Sequence, residues 1–323
     1  MRSIFLGDNI QIKRVYSENV ISELIACAGL DTHVYSKEDE VDFSDVEVIF
    51  STWGMPCFTV EEIKSRFPVL RAIFYAAGTV QSFAREFLEC GVKVYSAWGA
   101  NAVPVAEYTL SQIILANKGF FASSRLASIG EYDTAKQIFE NYKGNFNVKI
   151  GIIGCGMIGS LVCKMIKAYR LEVLAFDPFL SDEKAELLGV HKVSLDELFE
   201  NCQVVSNHLA NNPQTVGILN GSHFEKMLPY ATFINTGRGA QVVEADLARV
   251  LKSRPDLTAL LDVTYPEPPE KESPFYSLNN CILTPHIAGS SGLEVHRMAE
   301  YMLDEFKFPG KFEVTLEKLD TMA

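Results

Sequence analysis

The chain has 323 residues, 48% of them hydrophobic, and 29 basic against 41 acidic side chains give a formal net charge of −12. Single hydrophobic cores rarely outgrow about 250–300 residues, so this length suits two domains. An acidic balance without a Lys/Arg run disfavours nucleic acid and anionic membranes as partners.

The start, MRSIFLGDNIQIKR, carries no targeting segment, and no later window approaches the ~18 uninterrupted apolar residues of a membrane span. A soluble, cytoplasmic protein is expected. Cys27, Cys57, Cys90, Cys155, Cys163, Cys202 and Cys281 are odd in number, scattered, and never in C-x-x-C spacing. Reduced thiols fit that usage better than a disulfide scaffold or a zinc site, and no metal is expected.

In chain order, short β-rich runs alternate with helical patterns. SIFLG (3–7), THVYS (32–36), VEVIFS (46–51), RAIFYA (71–76) and VKVYSA (92–97) read as buried strands. Between them, ENVISELIACA, closed by Gly29, and VEEIKSRF carry the 3.6-residue apolar spacing of helices. One long helix is expected from about Asn101 through PVAEYTLSQIILANKGFFASSRLA, with Pro104 tolerated in its first turn. A polar, glycine-bearing stretch, GEYDTAKQIFENYKGNFN, follows. A second series then begins, with strands expected at 148–154, 171–176, 203–207, 231–236, 257–262 and 281–284. Such alternation implies βαβ units on parallel sheets, hence two α/β domains.

The second series opens with GIIGCGMIGS, in which Gly154, Gly156 and Gly159 form G-x-G-x-x-G. Alone the string is weak. Here it follows an apolar strand, opens a helix, and leads to a second strand ending in Asp177, 18 residues past Gly159. Gly154 permits the tight turn, Gly156 lets backbone approach a pyrophosphate, and Gly159 lets helix and strand pack closely. A nicotinamide dinucleotide, NAD, is the expected cofactor.

Three later pieces gain meaning from that site. INTGRG (234–239) puts Arg238 beyond one strand's carboxyl end, DVTYPEPP (262–269) puts Glu267 after another, and LTPHIAG (283–289) puts His286 after a third. In open α/β sheets ligands sit outside the carboxyl ends of strands, so the three can converge on one crevice. Taken singly, Arg238 reads equally well as a surface ion pair, Glu267 as a solvated carboxylate and His286 as a core histidine.

With VAEYTL (105–110), GIIGCGMIG, FDP (176–178), NHLANNPQT (207–215), INTGRG, LDVTYPEP and TPHIAG in this order and spacing, the sequence resembles the D-isomer-specific 2-hydroxyacid dehydrogenase family. The resemblance covers nearly the whole chain and is closest from about Ala102 to Gly292. It implies a Rossmann NAD-binding domain (103–290) inserted in a flavodoxin-like substrate domain (1–102 plus 291–323), both doubly wound parallel sheets. It also implies a homodimer formed largely through the nucleotide domains.

By the same resemblance, Arg238 holds the carboxylate of a 2-oxo acid and polarises its 2-oxo group, a task suited to a planar fork of donors. His286 is the general acid/base and Glu267 its carboxylate partner, whose charge favours the imidazolium form. The backbone of Ala77, Gly78 and Thr79 grips the substrate carboxylate. Met157 and Ile158 offer amides to the pyrophosphate, Asp262 binds the nicotinamide carboxamide, and Thr236 lies beside the same ring. Asp177 accepts hydrogen bonds from the adenosine ribose and repels a 2′-phosphate, and residues 178–181 supply no basic side chain to neutralise one. NAD is therefore expected over NADP by at least ~100-fold, about 2.7 kcal/mol.

The chain also departs from the family pattern. Thr79-Val80-Gln81-Ser82 replaces the usual acidic or amide continuation of the glycine loop, and SAWGAN (96–101) replaces N-x-P-G, which leaves the substrate's side chain open. Trp53 and Trp98 follow expected strands of the first domain, where cleft lining and interdomain packing are equally natural readings. Formate dehydrogenases of the superfamily carry Gln where Glu267 stands. A different class of reading, an NAD-sensing regulator or corepressor on a dehydrogenase scaffold, would keep all three residues and is separated only by turnover. The chain ends soon after the helical pattern SGLEVHRMAEYMLDEF, so no appended regulatory domain and no amino-acid feedback are expected.

Overall fold

A computed structural model describes residues 1–321. The strands are β1 (Arg2–Leu6), β2 (Leu30–Tyr35), β3 (Val46–Ser51), β4 (Ala72–Tyr75) and β5 (Lys93–Ser96), then β6 (Phe146–Ile153), β7 (Arg170–Phe176) and β8 (His191–Lys192). After them come β9 (Val204–Asn207), β10 (Thr232–Asn235), β11 (Thr258–Leu261), β12 (Cys281–Leu283) and β13 (Glu313–Val314). The chain divides into two compact units, Met1–Ala102 with the described residues from Ser290 onward, and Val103–Gly289.

The first unit holds one sheet of order β13-β5-β4-β3-β1-β2, parallel except for the antiparallel edge strand β13. Its strands are apolar on both faces, as helices on both sides require: Ile4, Phe5 and Leu6 of β1 and Val48, Ile49 and Phe50 of β3 are all buried. Aromatic rings fill much of this core, with Phe74 stacked on Tyr95 at 4.8 Å between centroids. Helix starts are fixed by side-chain caps such as Thr59, which forms a reciprocal capping box with Glu62.

The second unit holds a seven-stranded, all-parallel sheet of order β12-β11-β10-β9-β6-β7-β8. Starting at β6, the chain builds outward through β7 and β8, then returns to the other side of β6 with β9. The strand order reverses there, and the carboxyl ends of β6 and β9 flanking the reversal are where open α/β sheets place their ligands. Both sheets are thus doubly wound, the second with Rossmann order and the first with flavodoxin-like order.

Several local expectations need correction. The long helix begins at Trp98 and stops at Asn117, so Pro104 sits in its interior rather than in its first turn. It does not run on through GFFASSRLA, because Gly119 is left-handed (φ 64°); the position admits only glycine, since a Cβ there would lie 2.4 Å from the Tyr142 ring. A separate helix, Phe120–Ser128, starts after it. The polar stretch 130–147 contains a further helix, Tyr132–Phe139, which packs against Phe120–Ser128. β8 and β13, two residues each, are too short to show a period in sequence. The second crossing between units falls at Gly289/Ser290, one residue earlier than expected, and the Ser290 amide donates to Asn101 Oδ1 at 2.9 Å within the first unit. Among the described residues no helix is long and apolar enough to cross a membrane.

Candidate active site

β6 ends in the glycine fingerprint, and its three glycines face different demands. Gly154 is left-handed (φ 85°), and a Cβ on it would approach the His208 carbonyl oxygen to 2.8 Å. At Gly159 a Cβ would lie 2.0 Å from the Gly154 oxygen, so helix Met157–Ile166 can cross the strand end only without a side chain there. Gly156 has nothing within 4 Å of a built Cβ and caps that helix without a side-chain hydrogen bond. Open space in front of unsatisfied first-turn amides, with Met157 and Ile158 at that turn, fits a pyrophosphate.

Asp177, just past β7, is already engaged. Its Oδ2 accepts from Cys155 N–H at 2.7 Å and its Oδ1 from Phe179 N–H at 2.8 Å. The carboxylate thereby braces the fingerprint turn, while the remaining lone pairs suit ribose hydroxyls. Counting only residues 178–181 overlooked Lys184, which the next helix brings back to donate to the Cys155 carbonyl at 2.8 Å. A cation therefore stands near the turn, with its charge committed to that carbonyl. The residues present fit an NAD molecule.

Beyond β11 and β12 lies the titratable pair. His286 Nδ1 meets Glu267 Oε1 at 2.7 Å, with the side chains 48% and 42% exposed. Nε2 has no hydrogen-bond partner among the described residues and is left for a ligand. His286 holds a left-handed backbone (φ 55°), which is uncommon without glycine, and its N–H donates to the carbonyls of Asp262 and Thr284, both at 3.0 Å. The conformation is imposed by Asp262. Its buried Oδ1 accepts from Thr284 Oγ1 (2.6 Å) and Ile287 N–H (2.8 Å), and its Oδ2 from Ala288 N–H (3.0 Å). Thus the Asp262 carboxylate clamps the histidine loop, with one Oδ2 lone pair left over for a carboxamide. Tyr108 backs the clamp through Thr284 Oγ1 at 3.2 Å. A cleft of about 470 Å³ adjoins the pair, walled by Pro268, Pro269, Tyr276 and Leu283 on its apolar side.

Arg238 follows β10, the strand beside β11. Its turn is pressed against the next loop: a Cβ on Gly239 would lie 2.0 Å from the Thr264 carbonyl carbon, three residues before Glu267. Arg238, Glu267 and His286 thus leave the carboxyl ends of three adjacent strands. Arg238 Nη1 donates to its neighbour Gly237 O at 2.8 Å. Thr236 is buried, with its hydroxyl 3.2 Å from Thr109 Oγ1 and 3.4 Å from His208 Nδ1. His208 also meets Ser206 Oγ at 2.9 Å, and burial pushes its imidazole down to about 3, so it is neutral.

In the first unit, the loop after β4 is shaped by Ser96, whose hydroxyl reaches the carbonyls of Ala77 (3.0 Å) and Gly78 (2.6 Å). Ala77 N–H donates to Tyr75 O at 2.9 Å, whereas the amides of Gly78 and Thr79 have no acceptor among the described residues. Open space faces Gly78 as well, so two adjacent N–H groups can receive an anion. Trp98 packs edge-on against Phe312 (5.7 Å), and Arg14 lies over Trp53 at 5.8 Å. Both indoles therefore have packing partners within their own unit.

Sequence reasoning did not single out Asn207, His208, Gln241, Tyr108 or Thr284. Tyr108, Asn207, His208 and Thr284 stood inside quoted motifs without a role, and Gln241 stood outside them; nothing in the sequence separates a buried amide from a surface one.

Residues 110–288 match the family model for the NAD binding domain of D-isomer specific 2-hydroxyacid dehydrogenases. The chain belongs to that family, and NAD is its cofactor. It is 34% identical over 201 residues to a D-3-phosphoglycerate dehydrogenase of Archaeoglobus fulgidus, covering 62% of this chain and 38% of that protein. A D-3-phosphoglycerate dehydrogenase of Methanocaldococcus jannaschii is 31% identical over 220 residues, or 67% of this chain and 41% of its own. This chain thus spans well under half of those relatives. Among solved structures, a phosphoglycerate oxidoreductase from Rhizobium etli superposes with a TM-score of 0.80 at 20% identity, covering 98% of this chain and 99% of that one. A D-mandelate dehydrogenase of Rhodotorula graminis gives 0.77 at 20%, covering 95% and 93%. At such identities these likenesses bear on the fold.

Proposed function

We propose that the protein is an NAD-dependent D-2-hydroxyacid dehydrogenase, interconverting a 2-oxo acid and the corresponding 2-hydroxy acid. The observation that carries this reading is the 2.7 Å His286–Glu267 contact, which leaves Nε2 unengaged beside the cleft. When bound, the nicotinamide supplies or accepts the hydride. The chain's own residues do the rest. Glu267 orients the imidazole through Nδ1, so that Nε2–H can deliver a proton to the substrate oxygen as it becomes a hydroxyl, and take it back in the reverse direction. Arg238 offers a planar pair of donors to the carboxylate and 2-oxo group, which draws electron density from the carbon to be reduced. In the substrate-binding role proposed for residues 77–79, the Gly78 and Thr79 amides are the groups that can receive an anion. In this reading the first unit is the substrate domain and the second the NAD domain.

A panel of 2-oxo acids assayed with NADH tests the proposal. Oxidation of NADH with at least one of them is expected, and His286→Ala should lower kcat by ~10²–10⁴ while NADH affinity stays within a few-fold. NADH binding without turnover of any 2-oxo acid would favour a regulator instead. The homodimer reading is supported by Phe120, Ile129, Tyr132 and Phe139, which leave 44–66% of their surface exposed along one stretch of the second unit. Sedimentation equilibrium at micromolar concentration should give twice the 35.9 kDa chain mass.

A further inference from the structure

Beneath the Arg238 turn lies a cluster of three buried amides that the proposed chemistry does not use. Asn207 ends β9, Asn235 ends β10 in register with it, and Gln241 lies in the short helical turn Gly239–Gln241. None is more than 1% exposed. Gln241 uses its full capacity. Oε1 accepts from Asn207 Nδ2 at 2.7 Å and from Arg238 N–H at 3.1 Å, and Nε2 donates to the carbonyls of Leu209 (2.9 Å) and Ala210 (3.0 Å). Those two carbonyls fix the amide's orientation, since exchanging its ends would turn oxygen toward oxygen. Asn235 takes the opposite side of the same turn: Nδ2 donates to the Arg238 carbonyl at 3.2 Å, and Oδ1 accepts from Gly237 N–H (3.1 Å) and Asn207 Nδ2 (3.0 Å). The lid over the cluster is Gly237, where a Cβ would come within 2.8 Å of both Asn207 Nδ2 and Gln241 Oε1.

Burying three amides at the carboxyl ends of two interior strands is costly unless each group is paired, and apolar side chains could fill the same volume without that demand. What the amides add is direction. They hold both peptide groups of Arg238, the N–H from Gln241 and the C=O from Asn235, and thereby set where the side chain leaves the backbone. We infer that Gln241, supported by Asn207 and Asn235, is a positioning residue that sets the aim of the Arg238 guanidinium at a carboxylate substrate. The inference rests on the dehydrogenase reading above.

The test uses the full chain with NADH bound and two readouts, KM for the best 2-oxo acid and binding of oxamate, a 2-oxo acid analogue that cannot be reduced. Gln241→Leu should weaken both at least 10-fold while the NADH dissociation constant stays within 2-fold. In an Arg238→Ala background the same substitution should change oxamate binding by less than 2-fold, because its route to the substrate has gone. An equal loss in both backgrounds, or none in either, overturns the inference. Gln241→Leu leaves one Asn207 Nδ2 hydrogen without its acceptor while the bond to Asn235 Oδ1 remains, so Asn207→Leu/Gln241→Leu is measured beside it. The double variant should recover thermal stability but not oxamate affinity, and full recovery of affinity would also overturn the inference. If the unsubstituted protein neither binds oxamate nor reduces any 2-oxo acid, the dehydrogenase reading fails and the inference with it. If it does both and Gln241→Leu is unchanged, only the inference fails.

Discussion

At the scale of single residues, the site depends on places where no side chain fits. Gly239 is the sharpest case, because its missing Cβ lets the Arg238 turn lie directly on Thr264, whose carbonyl carbon would be 2.0 Å away and its oxygen 2.2 Å. Both neighbours are backbone and cannot swing aside. Gly239→Ala must therefore push the Arg238 loop away from the loop that carries Glu267. We expect a loss of about 1–3 kcal/mol in stability, typical of overpacking. In addition, kcat/KM for the 2-oxo acid should fall by more than the NADH affinity does. Urea unfolding and steady-state kinetics on the same preparation check both, and wild-type values for each would show that the contact is tolerated.

The loop after β12 shows how an element acquires a conformation that its residues do not favour alone. His286 is left-handed, and the backbone around it is held because one buried carboxylate, Asp262, takes three hydrogen bonds from Thr284, Ile287 and Ala288. Asp262→Asn preserves the volume but turns one acceptor into a donor, which then faces a backbone N–H. Leaving a buried donor unsatisfied costs about 1–3 kcal/mol. The expected outcome is a lower melting temperature together with a kcat reduced at least ~10-fold, as the imidazole loses its fixed position relative to Glu267. A normal kcat in the destabilised variant would separate the clamp from catalysis.

Across the molecule as a whole, acid stability should carry the mark of His208. The fold holds its imidazole neutral down to about 3, whereas an exposed histidine in the unfolded chain protonates near 6.5. Above pH 6.5 neither state binds the proton and the contribution is fully present. Between 6.5 and 3 the unfolded chain takes up a proton that the fold refuses, so stability falls with pH by about 1.4 kcal/mol per unit. By pH 4.5 the loss attributable to this residue is roughly 2–3 kcal/mol. Urea midpoints measured from pH 7 to 4.5 should decline less steeply in His208→Asn than in the unsubstituted chain, by about one proton's worth of slope. Parallel declines would mean that His208 is protonated in the fold.

Periodicity and local chemistry are carried by neighbouring residues: apolar runs of four to eight residues for strands, a glycine triplet between strand and helix, Asp177 at the end of β7, and Arg238, Glu267 and His286 just beyond strand ends. Those features are legible because they depend on neighbours close in the chain. The break at Gly119 was not, since the Tyr142 ring that excludes any side chain from this left-handed position lies 23 positions later in the sequence and is absent from any local window. Likewise, the sequence offered Asp262 only as a cofactor ligand, and the fold adds a second role by bringing Thr284, Ile287 and Ala288 onto its carboxylate; Lys184 stood outside the stretch read for basic residues until its helix turned back to Cys155. Asn207, Asn235 and Gln241 become a network only when β9 and β10 lie side by side, because a polar side chain acquires its partners from strands that are distant in sequence. The sequence by itself determined most of the strands, the family and the candidate reactive groups. Only the tertiary structure decided which buried polar atoms meet, and hence what holds the reactive groups in place.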